Sequence, residues 1–304
     1  MSVVQAFASP HETEPRYDTL VAGYDGSERA GDGLALAQLL ADATGAELLV
    51  AAVVPHEFPY APGTADREEA MRQEATDMLA EAVPGGDRVR AQVVGARSVA
   101  QGLHELAESA RAGALVVGSS HRGPIGRVLA GSVAERLLHG SPCPVAVAPA
   151  GFRERSDPRL KVVGCAFNGS DESRLAARHA EFLARRAGAP LRLLAVHEPE
   201  LVFGIDAVPA GYDPAEISRD ARERLERELE EAAASIGPGV EVQHYVLEGS
   251  APEALASAAE NGIDLLVVGS RQYGPVRRVL LGGVSSGLVR SCPTNILVVP
   301  RPGD

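Results

Sequence analysis

The amino-acid sequence predicts an α/β protein made of two tandem domains, each a parallel sheet with helices on both faces. Three observations predict it. Short apolar runs of strand length alternate with segments whose apolar residues recur at helical spacing, in the order βαβαβαβαβ, the alternation that builds parallel sheets. That programme runs through the first half of the chain and starts again in the second. Its most distinctive block, Val116-Val117-Gly118-Ser119 through Gly131-Ser132-Val133, returns without a gap as Val267-Val268-Gly269-Ser270 through Gly282-Gly283-Val284. Self-similarity on this scale marks a repeated fold unit.

Residues 1–16 carry Pro, His and Glu without periodicity and are expected to form a flexible tail. Residues 17–150 are then the first domain, 151–159 a polar linker containing Pro158, and 160–304 the second domain. The first strand starts at Thr19 and ends at Asp25-Gly26-Ser27, where Ser27 can cap a helix carrying Ala30, Leu34, Ala37 and Ala41 on one face. Leu48 to Val54 is continuously apolar, as in strands buried on both faces. A Pro-rich loop leads to a helix with Met71, Ala75, Met78 and Ala82 on one side. Val89, Ala91 and Val93 alternate, which places that strand nearer the sheet edge. Ser98-Val99-Ala100-Gln101 is a capping box opening the next helix, and Pro144 to Ala148 is a short last strand.

The second programme repeats each step. Lys161 to Phe167 is a strand ending in Asn168-Gly169-Ser170, and Leu191 to His197 is the second strand. Pro214 to Ile236 is an outer helix dense in Glu and Arg, with pairs such as Glu223–Arg227. Val240 to Leu247 is a strand, Ser250-Ala251-Pro252-Glu253 a capping box, and Asp264–Gly269 and Asn295–Val299 are the final strands.

Composition narrows the function classes. The 304 residues are enough for two hydrophobic cores, and the 45% hydrophobic content contains no run able to span a bilayer. No basic segment followed by an apolar block opens the chain, so a cytoplasmic location is expected. Three cysteines without C-x-x-C spacing fit buried thiols in a reducing compartment. A net charge of −12 with no Trp argues against nucleic-acid partners.

In an open parallel sheet, ligands bind beyond the carboxyl ends of the strands. Those ends in the first domain are Asp25, Val53 and the loop from Gly118 to Gly131. Gly118 is expected to let the backbone turn beneath a ligand. The amides at Gly131, Ser132 and Val133 open a helix and suit an anion, with Arg122 and Arg127 as nearby cations. A structural alternative stands beside this: Ser132-Val133-Ala134-Glu135 is itself a capping box, and Asp25 could close a turn. The G-x-x-x-x-G-K-[ST] and G-x-G-x-x-G motifs are absent, as are G-x-S-x-G, H-E-x-x-H and paired Cys/His ligand spacings. A Rossmann-type oxidoreductase is therefore disfavoured.

With a strand ending Asp-Gly-Ser, the later Val-Val-Gly-Ser…Gly-Ser-Val block and a Pro-bounded last strand, the chain resembles the universal stress protein family in its tandem form. The resemblance covers essentially everything after the tail. It implies two Rossmann-like domains of the adenine nucleotide alpha hydrolase-like kind, each a five-stranded parallel sheet of order 3-2-1-4-5. Members divide into ATP-binding and non-binding forms, told apart by a G-x-x-G-x9-G-[ST] loop. Gly118 matches the first glycine and Gly131 and Ser132 the final pair, while His121 stands at the second glycine position. The implied ATP site comprises Asp25, Val53, Gly118, Ser119, Ser120, His121, Arg127, Gly131, Ser132 and Val133, with Mg²⁺ an optional companion of the nucleotide.

A weaker second site would comprise Asn168, Val196, Gly269, Ser270, Gly282, Gly283 and Val284. There Gln272 replaces the middle glycine, Gly283 the serine and Asn168 the aspartate. Val145 to Val147 and Ile296 to Val298 are apolar enough for the last-strand pairing common in the family, which implies a pseudo-dimer within one chain. A homodimer of chains stays open. The function implied is that of a cytoplasmic stress-response protein binding adenine nucleotide as a regulator or sensor, with at most slow hydrolysis because no residue must act as a general base. The alternative is a scaffold of the same fold that binds no nucleotide.

Overall fold

The computed structural model describes residues 14–55, 64–83, 85–120, 126–198, 214–270 and 283–300. The first half runs Thr19–Gly23 (β1), Glu28–Thr44 (α1), Glu47–Pro55 (β2), Thr64–Ala82 (α2), Val89–Ala96 (β3), Val99–Ser109 (α3), Ala114–Gly118 (β4), Ser132–Leu138 (α4) and Val145–Ala148 (β5). After a 3₁₀ turn at Phe152–Glu154 the second half runs Val163–Ala166 (β6), Asp171–Ala187 (α5), Leu191–His197 (β7), Pro214–Ser235 (α6), Val242–Glu248 (β8), Ala251–Glu260 (α7), Leu265–Gly269 (β9), Gly283–Ser291 (α8) and Asn295–Val299 (β10). Residues 1–13 of the expected tail lie outside the described residues.

Helix ends follow local chemistry. The Ala30 amide donates to Ser27 Oγ (3.1 Å) and the Gln101 amide to Ser98 Oγ (3.3 Å), capping α1 and α3. Helices α1 and α5 both stop at a left-handed glycine, Gly45 and Gly188. Strand β6 starts later than its apolar pattern implies, because the amides of Lys161 and Val162 donate to Asp264 Oδ2 (2.8 and 3.0 Å) instead of entering the ladder. On α6 the Glu223–Arg227 pair is not formed among the described residues; Arg222 instead bridges Glu226 at 3.0 Å and also reaches Glu248 on β8.

All ten strands share one sheet, in the order β3-β2-β1-β4-β5-β10-β9-β6-β7-β8. Each half is parallel and reads 3-2-1-4-5, and the halves meet where β5 and β10 pair antiparallel: Ile296 faces Val147, Leu297 faces Ala146 and Val298 faces Val145. The pseudo-dimer expected from the apolar last strands is thus a hydrogen-bonded seam. Strand β3 lies at the sheet edge, where its alternating pattern put it. Each face of the sheet carries a core that crosses the seam. One joins Leu20, Leu36 and Leu40 to Leu183 and Leu191; the other joins Leu103, Leu115 and Leu137 to Leu266 and Ile296.

Two polar contacts reinforce the junction. Asp32, 1% exposed, accepts the amides of Gly151 (2.8 Å) and Arg153 (3.0 Å), which straps the linker to α1. Tyr17, ahead of β1, stacks on Phe182 of α5 (5.4 Å between centroids), and its hydroxyl donates to His179 Nδ1 (2.8 Å). Burial, and then the Arg178 charge, lower the pKa of His179 to about 4, so the ring is neutral and accepts. Its unfolded counterpart titrates near 6.5 and binds a proton that the folded state refuses. Folded stability therefore falls as pH drops from about 6.5 towards 4. His179→Asn keeps an acceptor without a titration, so its thermal midpoint, followed by circular dichroism across that interval, should fall less steeply with acid than that of the wild type.

Candidate functional site

The carboxyl ends of β1, β2 and β4 open onto a cleft of about 430 Å³, walled by α2 and floored by the starts of α1 and α4. Glycine creates it. A Cβ on Gly118 would lie 1.7 Å from the Arg29 carbonyl oxygen, and one on Gly33 would lie 2.5 Å from the Gly118 nitrogen. Helix α1 therefore lies backbone to backbone on the end of β4. Gly118 lines the cleft, and the space left by its missing side chain is filled by α1. The repeat does the same less tightly, with a Cβ on Gly269 lying 2.7 Å from the Glu172 carbonyl oxygen.

Gly26, at φ 78°, makes the turn into α1, a conformation that glycine adopts without strain. Asp25 Oδ1 accepts the Ser27 amide (3.1 Å) and hydroxyl (2.6 Å), so one carboxylate oxygen closes the turn, and Oδ2 makes no bond among the described residues. In the repeat Asn168 Oδ1 accepts the Ser170 amide (3.2 Å), which keeps the turn and drops the charge.

The capping box read at Ser132 does not form. The N-cap of α4 is Gly131, with no side-chain cap, and Ser132 is the first helical residue. Its exposed hydroxyl makes no bond among the described residues and lines the cleft. Beside it, Ser119 is 5% exposed, and its Oγ is buried without a partner among the described residues. Such an orphan hydroxyl costs stability unless a ligand meets it.

Of the residues singled out from sequence, Asp25, Val53, Gly118, Ser119, Ser120, Gly131, Ser132 and Val133 converge on this cleft. His121 and Arg122 lie outside the described residues. Arg127 is placed elsewhere: its guanidinium bonds Glu260 of α7 (2.7 Å) and the Ser291 carbonyl ending α8 (3.2 Å). The same segment sends the Val128 amide to the Cys292 carbonyl and the Ala130 amide to the Val289 carbonyl, each at 2.7 Å. The cleft also takes in Tyr24, Arg29, Met71, Glu74 and Met78, which sequence reasoning did not assign to a site. The methionines carried a legible signal, a helical face, but it pointed to core.

The repeat's cleft measures about 220 Å³ and includes Asn168, Val196, Gly269, Ser270 and Val284. Gly283 is not on its lining, and Gly282 and Gln272 lie outside the described residues. Its charged lining is the two carboxylates Glu172 and Glu198, whereas the first cleft has Asp25 and Glu74 together with Arg29. Glu198 Oε1 accepts the Ala251 amide (2.6 Å) at the start of α7, the counterpart of α3 and not of α4. Ser250 turns its hydroxyl to Glu253, so the capping box expected there closes only between side chains.

The three cysteines are buried. Burial pushes the thiols of Cys143 and Cys292 up to about 11, and that of Cys165 higher still, so all three stay protonated at neutral pH. Among the described residues no cluster of His, Cys, Asp and Glu could hold a metal, and no helix is long and apolar enough to cross a membrane.

A family model described as the universal stress protein family matches this chain twice, over residues 16–149 and 160–300. A universal stress protein of Mycobacterium tuberculosis is 31% identical over 299 residues, covering 93% of this chain and 99% of that one, and one from Mycobacterium bovis matches equally. Among solved structures, a universal stress protein from Archaeoglobus fulgidus shares the fold, with a TM-score of 0.64 at 20% identity, over 94% of this chain and all of that one. The chain belongs to the universal stress protein family, in its tandem form.

The backbone crossing at Gly118 sets a sharp contrast. Gly118→Ala should lower unfolding free energy by about 3 kcal/mol or more, since backbone cannot yield as a side chain does. Gly283→Ala, where a Cβ meets nothing within 4 Å, should leave it unchanged or slightly higher. Urea titration of both variants measures the difference.

Proposed function

We propose that this protein binds ATP in the cleft of its first domain and acts as a cytoplasmic stress-response regulator or sensor, with at most slow hydrolysis. The observation that carries the reading is the convergence of Asp25, Gly118–Ser120 and Gly131–Val133 on one cleft at the strand ends. The free Oδ2 of Asp25 suits ribose hydroxyls. The amides that open α4, with the Ser132 and Ser119 hydroxyls, suit a phosphate chain. Val53 and the methionines of α2 offer an apolar wall for a base. Mg²⁺ would arrive with the nucleotide.

One site per chain is favoured over two. The second cleft is half the volume, and its wall carries Glu172 where the first has Arg29. A scaffold that binds no nucleotide is the competing reading, and the His121 departure favours it.

Calorimetric titration of ATP with and without Mg²⁺ into the full chain decides between them. Heat with a stoichiometry near one is expected, and Asp25→Ala combined with Ser132→Ala should raise Kd by about tenfold or more, as loss of charge-assisted bonds implies. No heat at millimolar nucleotide under either condition would sink the ATP reading and leave the scaffold.

A further inference from the structure

We infer that Arg29 makes the first cleft selective for a phosphate-bearing ligand over the bare nucleoside. The inference rests on the nucleotide reading above and adds a residue that the loop motif does not contain.

Arg29 sits in the first turn of α1, on the wall of the cleft beside Gly118 and Ser119. Its side chain is 17% exposed, and among the described residues its one ion pair is with Asp32, at 3.6 Å. Asp32 does not depend on that pair, because its two oxygens already accept the Gly151 and Arg153 amides. The guanidinium itself donates no hydrogen bond among the described residues, although it carries five N–H groups. Arg29 and the orphan hydroxyl of Ser119 both line the cleft. An anion there gives the hydroxyl a partner and the guanidinium a hydrogen-bond acceptor beyond its Asp32 pair.

The duplicated fold supplies the control. Where the first domain has Arg29 and Asp32, the second has Glu172 and Leu175, although the turn at Ser170 and the crossing at Gly269 persist. The second helix start has an arginine of its own, Arg174, but its Nε donates to the Gly169 carbonyl (3.2 Å) and it is not on that cleft's lining. What the exchange alters is the charge at this one position of the wall, a cation in the first cleft and a carboxylate in the second.

Adenosine, AMP, ADP and ATP are titrated into the full-length wild type, Arg29→Gln and Arg29→Lys. Wild-type affinity should rise with phosphate count. Arg29→Gln should raise the ATP Kd by about tenfold or more while the adenosine Kd stays within about twofold, and Arg29→Lys should recover most of the difference. Equal loss for ATP and adenosine in Arg29→Gln marks a structural role and overturns the inference alone. An equal wild-type affinity for adenosine and ATP overturns it without recourse to a variant, should Arg29→Gln fail to fold. Wild type that binds none of the four sinks the nucleotide reading and this inference with it.

Discussion

The crossing of α1 over the end of β4 is the contact on which the candidate site depends. Residues of α1 such as Leu36 and Leu40 bury against Leu20 of β1 and Val116 of β4, and that packing draws the helix onto the sheet. Side chains would hold helix and strand about 10 Å apart; Gly33 and Gly118 remove them at one point. The helix start then descends to the level of the strand ends. The turn at Asp25, the side chain of Arg29 and the loop after Gly118 all arrive at one cleft as a consequence.

The second constraint comes from the other domain. Helix α8 ends at Ser291, and Pro293 lacks the amide that would ordinarily bond the Val289 carbonyl. The Ala130 amide takes that carbonyl and the Val128 amide takes Cys292, while Arg127 adds its cation at the negative end of the helix. The unsatisfied carbonyls of one domain thereby fix the segment that delivers Gly131 and Ser132 to the cleft of the other. The β5–β10 seam makes this register reproducible, since a slip of one residue would turn Val145 and Val147 to the wrong face.

Much of this was legible in the sequence, because it is written in periodicity and repetition. The alternation of strands and helices, the caps at Ser27 and Ser98 and the pairing of the last strands all follow from local patterns or from comparing the two halves. The same holds for eight of the residues lining the first cleft. What was not legible depends on direction in space. Arg127 looked like a cation for the loop, and only the packed domains show it turned to Glu260. Ser132 and Glu135 spelled a capping box, yet the helix begins one residue too early for Ser132 to cap it. Gly118 fitted a ligand-binding motif, while the atoms closest to it belong to α1. Arg29 had no motif to announce it.

The duplication also separates what the fold needs from what a ligand needs. Features kept in both halves, such as the glycine turn at Gly26 and Gly169, the serine caps and the backbone crossing at Gly118 and Gly269, are sufficiently explained by folding. Features present in one half alone cannot be demanded by the architecture that both share. By that standard the glycines at the heart of the loop motif say least about binding, and the exchanges say most: Asp25 for Asn168, Arg29 for Glu172, Ser132 for Gly283. Each exchange removes from the second domain a group that could meet a ribose or a phosphate, and one of them adds a charge that opposes it. The two clefts therefore differ in side-chain chemistry on an architecture that both domains share.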